Sequence, residues 1–178
     1  MNDGRLLLHP RDPQAPSPER ATLLRSLEGI GLLGAPLTGA NEFLVGEQFL
    51  QWIAFMGCSP FVRLEPPAEG GAFCHLALLG PYPEPRLLSG RNTRPPQCPA
   101  CGQRIASWRE QSNQPRVRCE HCQTQSPLAA LKWRRNAGLG RCFLEIRNIF
   151  PGEAAPVEGL LQRLEALGAG PWDYFYLA

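Results

Sequence analysis

The chain has 178 residues, 43% of them hydrophobic and 19% charged, a composition that supports a buried core and reads as globular rather than disordered. No uncharged apolar stretch approaches the ~18 residues of a membrane span, and residues 1–10 hold three leucines where an export signal needs an apolar core of ~7–15; a cytoplasmic protein with no membrane partner is expected. The formal net charge of +2 is unevenly spread, because residues 86–147 hold twelve Arg or Lys against three Glu, for +9, and the remainder carries −7.

That asymmetry has two readings. The middle segment meets an anionic partner, or it complements the acidic flanks within one fold. Lys132 is the one lysine, so part of the arginine richness reflects coding bias and not a choice for phosphate.

In chain order, residues 1–16 contain Pro10, Pro13 and Pro16 without an apolar period and predict a flexible tail. Ser17-Pro18-Glu19 reads as a helix start, and Leu23, Leu24, Leu27 and Ile30 follow at helical spacing until Gly31 and Gly34. A second helix is expected over residues 47–56, with Phe49, Leu50, Ile53 and Met56 on one face and Gly57 ending it. Residues 61–65 and 73–79 read as strands joined by the turn-rich residues 66–71. Residues 142–149 alternate with period two, a helix is expected from Ala154 with Val157, Leu160, Leu161, Leu164 and Leu167 on one face, and residues 172–177 close as a strand.

These elements predict an α+β fold: about four strands in one sheet, two to three helices on one face, and an inserted cysteine module. Residues 18–80 and 128–178 form the expected body, residues 95–127 the insertion, and residues 81–94 a proline-rich connector. The closing strand–helix–strand suggests a crossover that makes the last two strands parallel, and a ferredoxin-like arrangement is compatible with the order.

The cysteines carry the most specific chemistry. Cys98-Pro99-Ala100-Cys101-Gly102 is followed, seventeen residues from Gly102 to Arg118 later, by Cys119-Glu120-His121-Cys122. Two intervening residues let both thiolates of a pair reach one ion from a tight turn, and two such turns complete a tetrahedron. The segment resembles a zinc ribbon, most specifically in Cys98-Pro99-Ala100-Cys101-Gly102, and departs from it where Gln123 stands in place of the common glycine. The resemblance covers residues 95–127 and implies one structural Zn²⁺ on Cys98, Cys101, Cys119 and Cys122. Two disulfides are disfavoured without an export signal. A rubredoxin-like iron site wants a second glycine knuckle, and a redox C-x-x-C needs one motif, not two. Four thiolates leave no open position, so the metal is expected to be structural, with His121 at the knuckle surface.

Cys58, Cys74 and Cys142 read as buried small residues, since Cys74 and the neighbouring His75 point to opposite faces of one strand and cannot share an ion. Catalytic patterns are otherwise thin. His9 falls in the expected tail, Ser59 and Ser89 lie in no nucleophile elbow, and Glu42 and Glu47 flank a helix start. A binding protein is therefore favoured over an enzyme. Arg104, Arg109, Arg116 and Arg118 interleave with Trp108, and Lys132, Arg134 and Arg135 flank Trp133, the mixture of cations and aromatics that nucleic-acid binding uses. Each tryptophan also has a packing reading. Nucleic acid stands narrowly ahead of an acidic protein partner, for which the ribbon would be a rigid prong; an enzyme with its site in the body is the third reading.

Overall fold

The structure is a computed structural model that describes residues 4–39, 41–57 and 62–178. The first half runs β1 (Arg5–Pro10), α1 (Arg20–Gly29), β2 (Leu33–Pro36), β3 (Glu42–Val45), α2 (Phe49–Trp52), β4 (Ile53–Phe55) and β5 (His75–Leu79). Then come β6 (Arg86–Ser89), α3 (Trp108–Gln111), β7 (Val117–Arg118), β8 (Gln125–Ser126) and β9 (Ala137–Gly140). The chain closes with β10 (Phe143–Arg147), β11 (Ala154–Pro156), α4 (Glu158–Leu164) and β12 (Trp172–Leu177).

The fold is α+β, as expected, but its sheet has six strands rather than about four, in the order β12-β1-β10-β5-β3-β2 with every neighbour antiparallel. Within it, β1-α1-β5-β10-α4-β12 is a β-α-β-β-α-β unit whose strands stand in the order fourth, first, third, second, the split β-α-β connectivity of ferredoxin-like sheets. The β2–β3 hairpin extends this unit at the β5 edge. Strand β12 does run parallel to β10, but β1 lies between them and pairs with both.

Alternation assigns the two faces. Leu6, Leu8, Leu76, Leu78, Leu144 and Ile146 meet Leu23 and Leu27 of α1 and Leu160 and Leu164 of α4 on one side. Leu7, Phe143, Phe175 and Leu177 occupy the other, under Leu88 of β6. There the β6–β9 ladder presses onto the sheet so closely that a Cβ on Gly138 would lie 2.1 Å from the Phe175 ring.

Several expectations fail for identifiable reasons. Residues 5–10 are no tail but an inner strand. Leu6, Leu7 and Leu8 are all buried because both faces are covered, and a strand buried on both faces shows no alternation. The helix expected over residues 47–56 ends at Trp52; Ile53–Phe55 instead pair with Ala154–Pro156, giving β-branched and aromatic residues a ladder. The last helix therefore starts at Glu158 and not at Ala154, just past Pro156, whose missing N–H suits a strand edge. Residues 62–65 form no strand, although the Arg63 carbonyl accepts the Cys74 N–H at 2.7 Å; Phe61 lies outside the described residues. In the proline-rich stretch, Leu87 and Leu88 find apolar cover, so Arg86–Ser89 is a paired strand rather than a bare connector.

Candidate metal centre and its basic surround

The two cysteine turns are built alike. In the first, Cys98 N–H donates to the Gln103 carbonyl at 2.8 Å and Gly102 N–H donates back to the Cys98 carbonyl at 2.9 Å. In the second, Cys119 N–H donates to the Thr124 carbonyl and Gln123 N–H to the Cys119 carbonyl, both at 3.0 Å. Gly102 and Gln123 occupy the same left-handed position, at φ +72° and +63°. The departure from the ribbon pattern therefore leaves the geometry intact, and Gln123 adopts the backbone that glycine favours.

These turns bring Cys98, Cys101, Cys119 and Cys122 together, with all four sulfurs within 4.8 Å of one another. Cys98 Sγ lies 3.7 Å from Cys122 Sγ, and Cys101 Sγ lies 3.7 Å from Cys119 Sγ. A tetrahedron with metal–sulfur bonds of about 2.3 Å has edges of about 3.8 Å, so the spacing fits four thiolates on one ion. The cluster can hold a metal ion, and its coordination sphere would be complete. Cys122 Sγ lies 3.3 Å from Thr124 Oγ1; the Thr124 hydroxyl and then its amide lower the Cys122 thiol from its ordinary value.

Around the cluster lies a small apolar core of Ile105, Trp108, Val117 and Leu131. Trp108 is 2% exposed, and its ring meets Trp133 edge-on with centroids 5.0 Å apart. It is therefore no platform for a base, contrary to its place among the expected partner-binding residues; a ring that fills the middle of so small a core has no free face. Trp133 is half-buried and donates its indole N–H to the Leu128 carbonyl at 3.1 Å.

Arg104, Arg109, Arg116, Arg118, Lys132, Arg134 and Arg135 are all exposed. Among the described residues none of the seven makes an ion pair; the acidic partners in this structure, Glu42 and Glu145, are taken by Arg5 and Arg147. Glu120, within the module, is taken by amides instead. Its carboxylate accepts the Ser107 and Ala106 N–H groups at 2.7 and 3.2 Å, tying the second turn to the start of α3. Hydrogen bonds from the Ser107 hydroxyl and amide hold that carboxyl below its ordinary value.

Three of the cations share one place. Gln97 pairs in antiparallel bridges with Arg104 on one side and Lys132 on the other, and paired side chains lie on the same side of a ladder. The Arg134 guanidinium joins them, donating to Gln97 Oε1 at 2.9 Å. Arg109 has a more structural place. It stacks 4.5 Å over Trp108 and donates to the Gly90 and Thr93 carbonyls at 3.0 and 3.3 Å, tying α3 to the preceding connector. Arg116 donates to the Gln125 carbonyl at 3.4 Å.

Elsewhere the chemistry is quiet. Cys74 is buried, and its thiol is pushed up to about 12 by burial and then by Glu153; burial also raises Cys142. His75 Nδ1 sits 2.9 Å from the Phe73 carbonyl. Glu42 pairs with Arg147 and not with Glu47. His9, expected in a tail, lies in β1. Cys58 and Ser59 lie outside the described residues. No helix among the described residues is long and apolar enough to cross a membrane. Neither family models, curated proteins nor solved structures give a match to this chain.

Proposed function

We propose that the chain is a zinc-ribbon protein that binds nucleic acid through the basic surface around the ribbon. The metal is one Zn²⁺ held by Cys98, Cys101, Cys119 and Cys122. Zinc suits a closed, all-thiolate tetrahedron, and there it holds the two turns together without offering a position to substrate. The ribbon, from residue 95 to residue 127, is an insertion between the second and third strands of the split β-α-β unit, carried on a body that comprises residues 18–80 and 128–178 together with β1.

The observation that carries the reading is the cation row of Arg104, Lys132 and Arg134 around Gln97, with no acidic partner among the described residues. Arg104 and Lys132 each stand opposite Gln97 and not opposite one another, so the row sets positive charges about 10 Å apart across two strand spacings, and phosphate groups would neutralise them. The test is retention of RNA, single-stranded DNA and duplex DNA at graded salt, for wild type and for Arg104→Ser with Lys132→Ser. On single strands the log–log salt slope should fall by about 0.7 for each phosphate contact removed. Binding to none of the three at low salt overturns the reading and promotes an acidic protein partner in its place.

A further inference from the structure

Residues 133–136 form a turn that its sequence does not favour. Asn136 N–H donates to the Trp133 carbonyl at 3.1 Å, and Arg134 and Arg135 have φ of +50° and +60°. This is the type I′ form, whose two central positions are ordinarily Asn-Gly because a Cβ resists left-handed backbone. Two successive arginines hold it here because the surroundings do. Tyr176 N–H of β12 donates to the Arg135 carbonyl at 3.0 Å, and the Asn136 side-chain amide donates to the Arg134 carbonyl at 2.8 Å. Strain that neighbouring structure enforces is a recurrent feature of ligand clamps.

The strained turn fixes the position of two guanidinium groups. Arg134 joins the cation row at Gln97, and Arg135 lies 4.0 Å over the Tyr174 ring while donating to the Tyr174 hydroxyl. Between the turn and the sheet is a cleft of about 220 Å³ whose lining includes His9, Arg11, Trp133, Arg134, Arg135, Tyr174 and the carboxylate of Asp173. That is below the roughly 300–1,000 Å³ that encloses a drug-sized molecule, and it suits one planar ring system. The His9 ring packs against Phe175 and Phe143, with centroids 5.2 and 5.8 Å away, and its buried Nδ1 has no hydrogen-bond partner among the described residues. In another cleft, of about 440 Å³, Arg5 and Arg147 are paired with Glu145 and Glu42, whereas the lining of the smaller one sets Arg11, Arg134 and Arg135 against the carboxylate of Asp173.

We infer that the turn and its cleft form a subsite for a single unstacked base of a bound strand. Trp133 and Tyr174 supply aromatic surface, and Arg134 and Arg135 reach the flanking phosphates. The subsite deepens the nucleic-acid reading and rests on it.

The experiment compares the zinc-loaded full chain on a single strand of about 12 nucleotides with the same strand carrying abasic sites, which keeps every phosphate and removes the bases. Wild type should prefer the intact strand by about fivefold or more, the worth of one stacked base. Arg134→Asn with Arg135→Gly, which supplies the residues the turn favours, should fold with an unchanged or raised unfolding midpoint. It should bind both strands alike, weakly and with salt dependence. Equal binding of both strands by wild type overturns the base subsite and leaves the nucleic-acid reading standing. Binding of neither strand overturns both. A turn variant that still prefers the intact strand also overturns the subsite.

Discussion

On the helix side of the sheet, twenty buried side chains pack into one cluster among the described residues, whereas the four-cysteine module buries six, two of them the thiols of Cys98 and Cys119. At roughly 25 cal/mol per Å² of apolar surface, the first can offset the entropy of ordering its chain, and the second cannot do so alone. The difference also sorts the charge. Within the sheet, buried Glu145 of β10, 1% exposed, is bonded by Arg5 and Arg147, as a charge beside apolar neighbours must be. The module keeps its cations outside, without an ion pair among the described residues, which a fold held by metal ligation would tolerate.

The largest test of this contrast is to take the metal away. Cys101→Ser, or chelation of the wild type, should remove about 10 kcal/mol or more of ligation free energy and expose the amides of the two cysteine turns to hydrogen exchange. The sheet amides should stay protected, and metal analysis of the untreated protein should give one zinc per chain. If β1, β10 and β12 lose protection together with the turns, the sheet and the module are one cooperative unit and the contrast fails.

The converse perturbation is smaller. Leu144 is buried at the centre of the helix-side core, with Leu8 and Leu78 as its cross-strand partners. Leu144→Ala should cost about 2–5 kcal/mol in denaturant unfolding without changing zinc stoichiometry or the affinity measured by chelator competition. A weakened zinc site would show that the sheet props up the module.

The turn at residues 133–136 joins the two regions and yields an effect of opposite sign. Replacing Arg134 by Asn and Arg135 by Gly relieves about 1–2 kcal/mol of left-handed strain per residue, loses an exposed cation–π contact of about 0.5–1 kcal/mol, and gives the unfolded chain about 0.5–1 kcal/mol more entropy to lose at the new glycine. A net gain of about 1–2 kcal/mol in denaturant unfolding is expected. A net loss would mean that the Arg135–Tyr174 contact, and not the backbone, governs the join.

What could be read in advance divides along the same line. The four-cysteine cluster was legible because its determinants are local: two C-x-x-C turns bring their own hydrogen bonds wherever they sit. The sheet was legible only in outline. Strand β1 was hidden because Leu6, Leu7 and Leu8 face both ways, and β4 because Ile53–Phe55 needs Ala154–Pro156, a partner distant in sequence, to become a strand. The turn at Arg134 and Arg135 gave no signal, since it lacks the Asn-Gly that marks its type. His9 and Tyr174 gave none either, because only the β1–β12 pairing brings them beside that turn. Trp108 shows the limit of composition: the same ring serves stacking or packing, and only burial separates the two.

The smallest effect concerns the two cysteine turns, which differ at one equivalent position. At Gly102 a Cβ would meet nothing within 4 Å, so Gly102→Ala is opposed by its φ of +72° alone and should cost about 1 kcal/mol. Gln123 already carries that strain. Gln123→Gly removes it, but also loses the hydrogen bond from Gln123 Nε2 to the Glu120 carbonyl at 2.9 Å. It further gives the unfolded chain about 0.5–1 kcal/mol more entropy to lose. These terms nearly cancel, so the net change should lie within about 0.5 kcal/mol of zero. Melting is too blunt for so small a difference; competition with a chelator, which reads the site itself, resolves it. Should Gln123→Gly weaken zinc retention more than Gly102→Ala does, the second turn is held by its side chain and the two are alike in shape only.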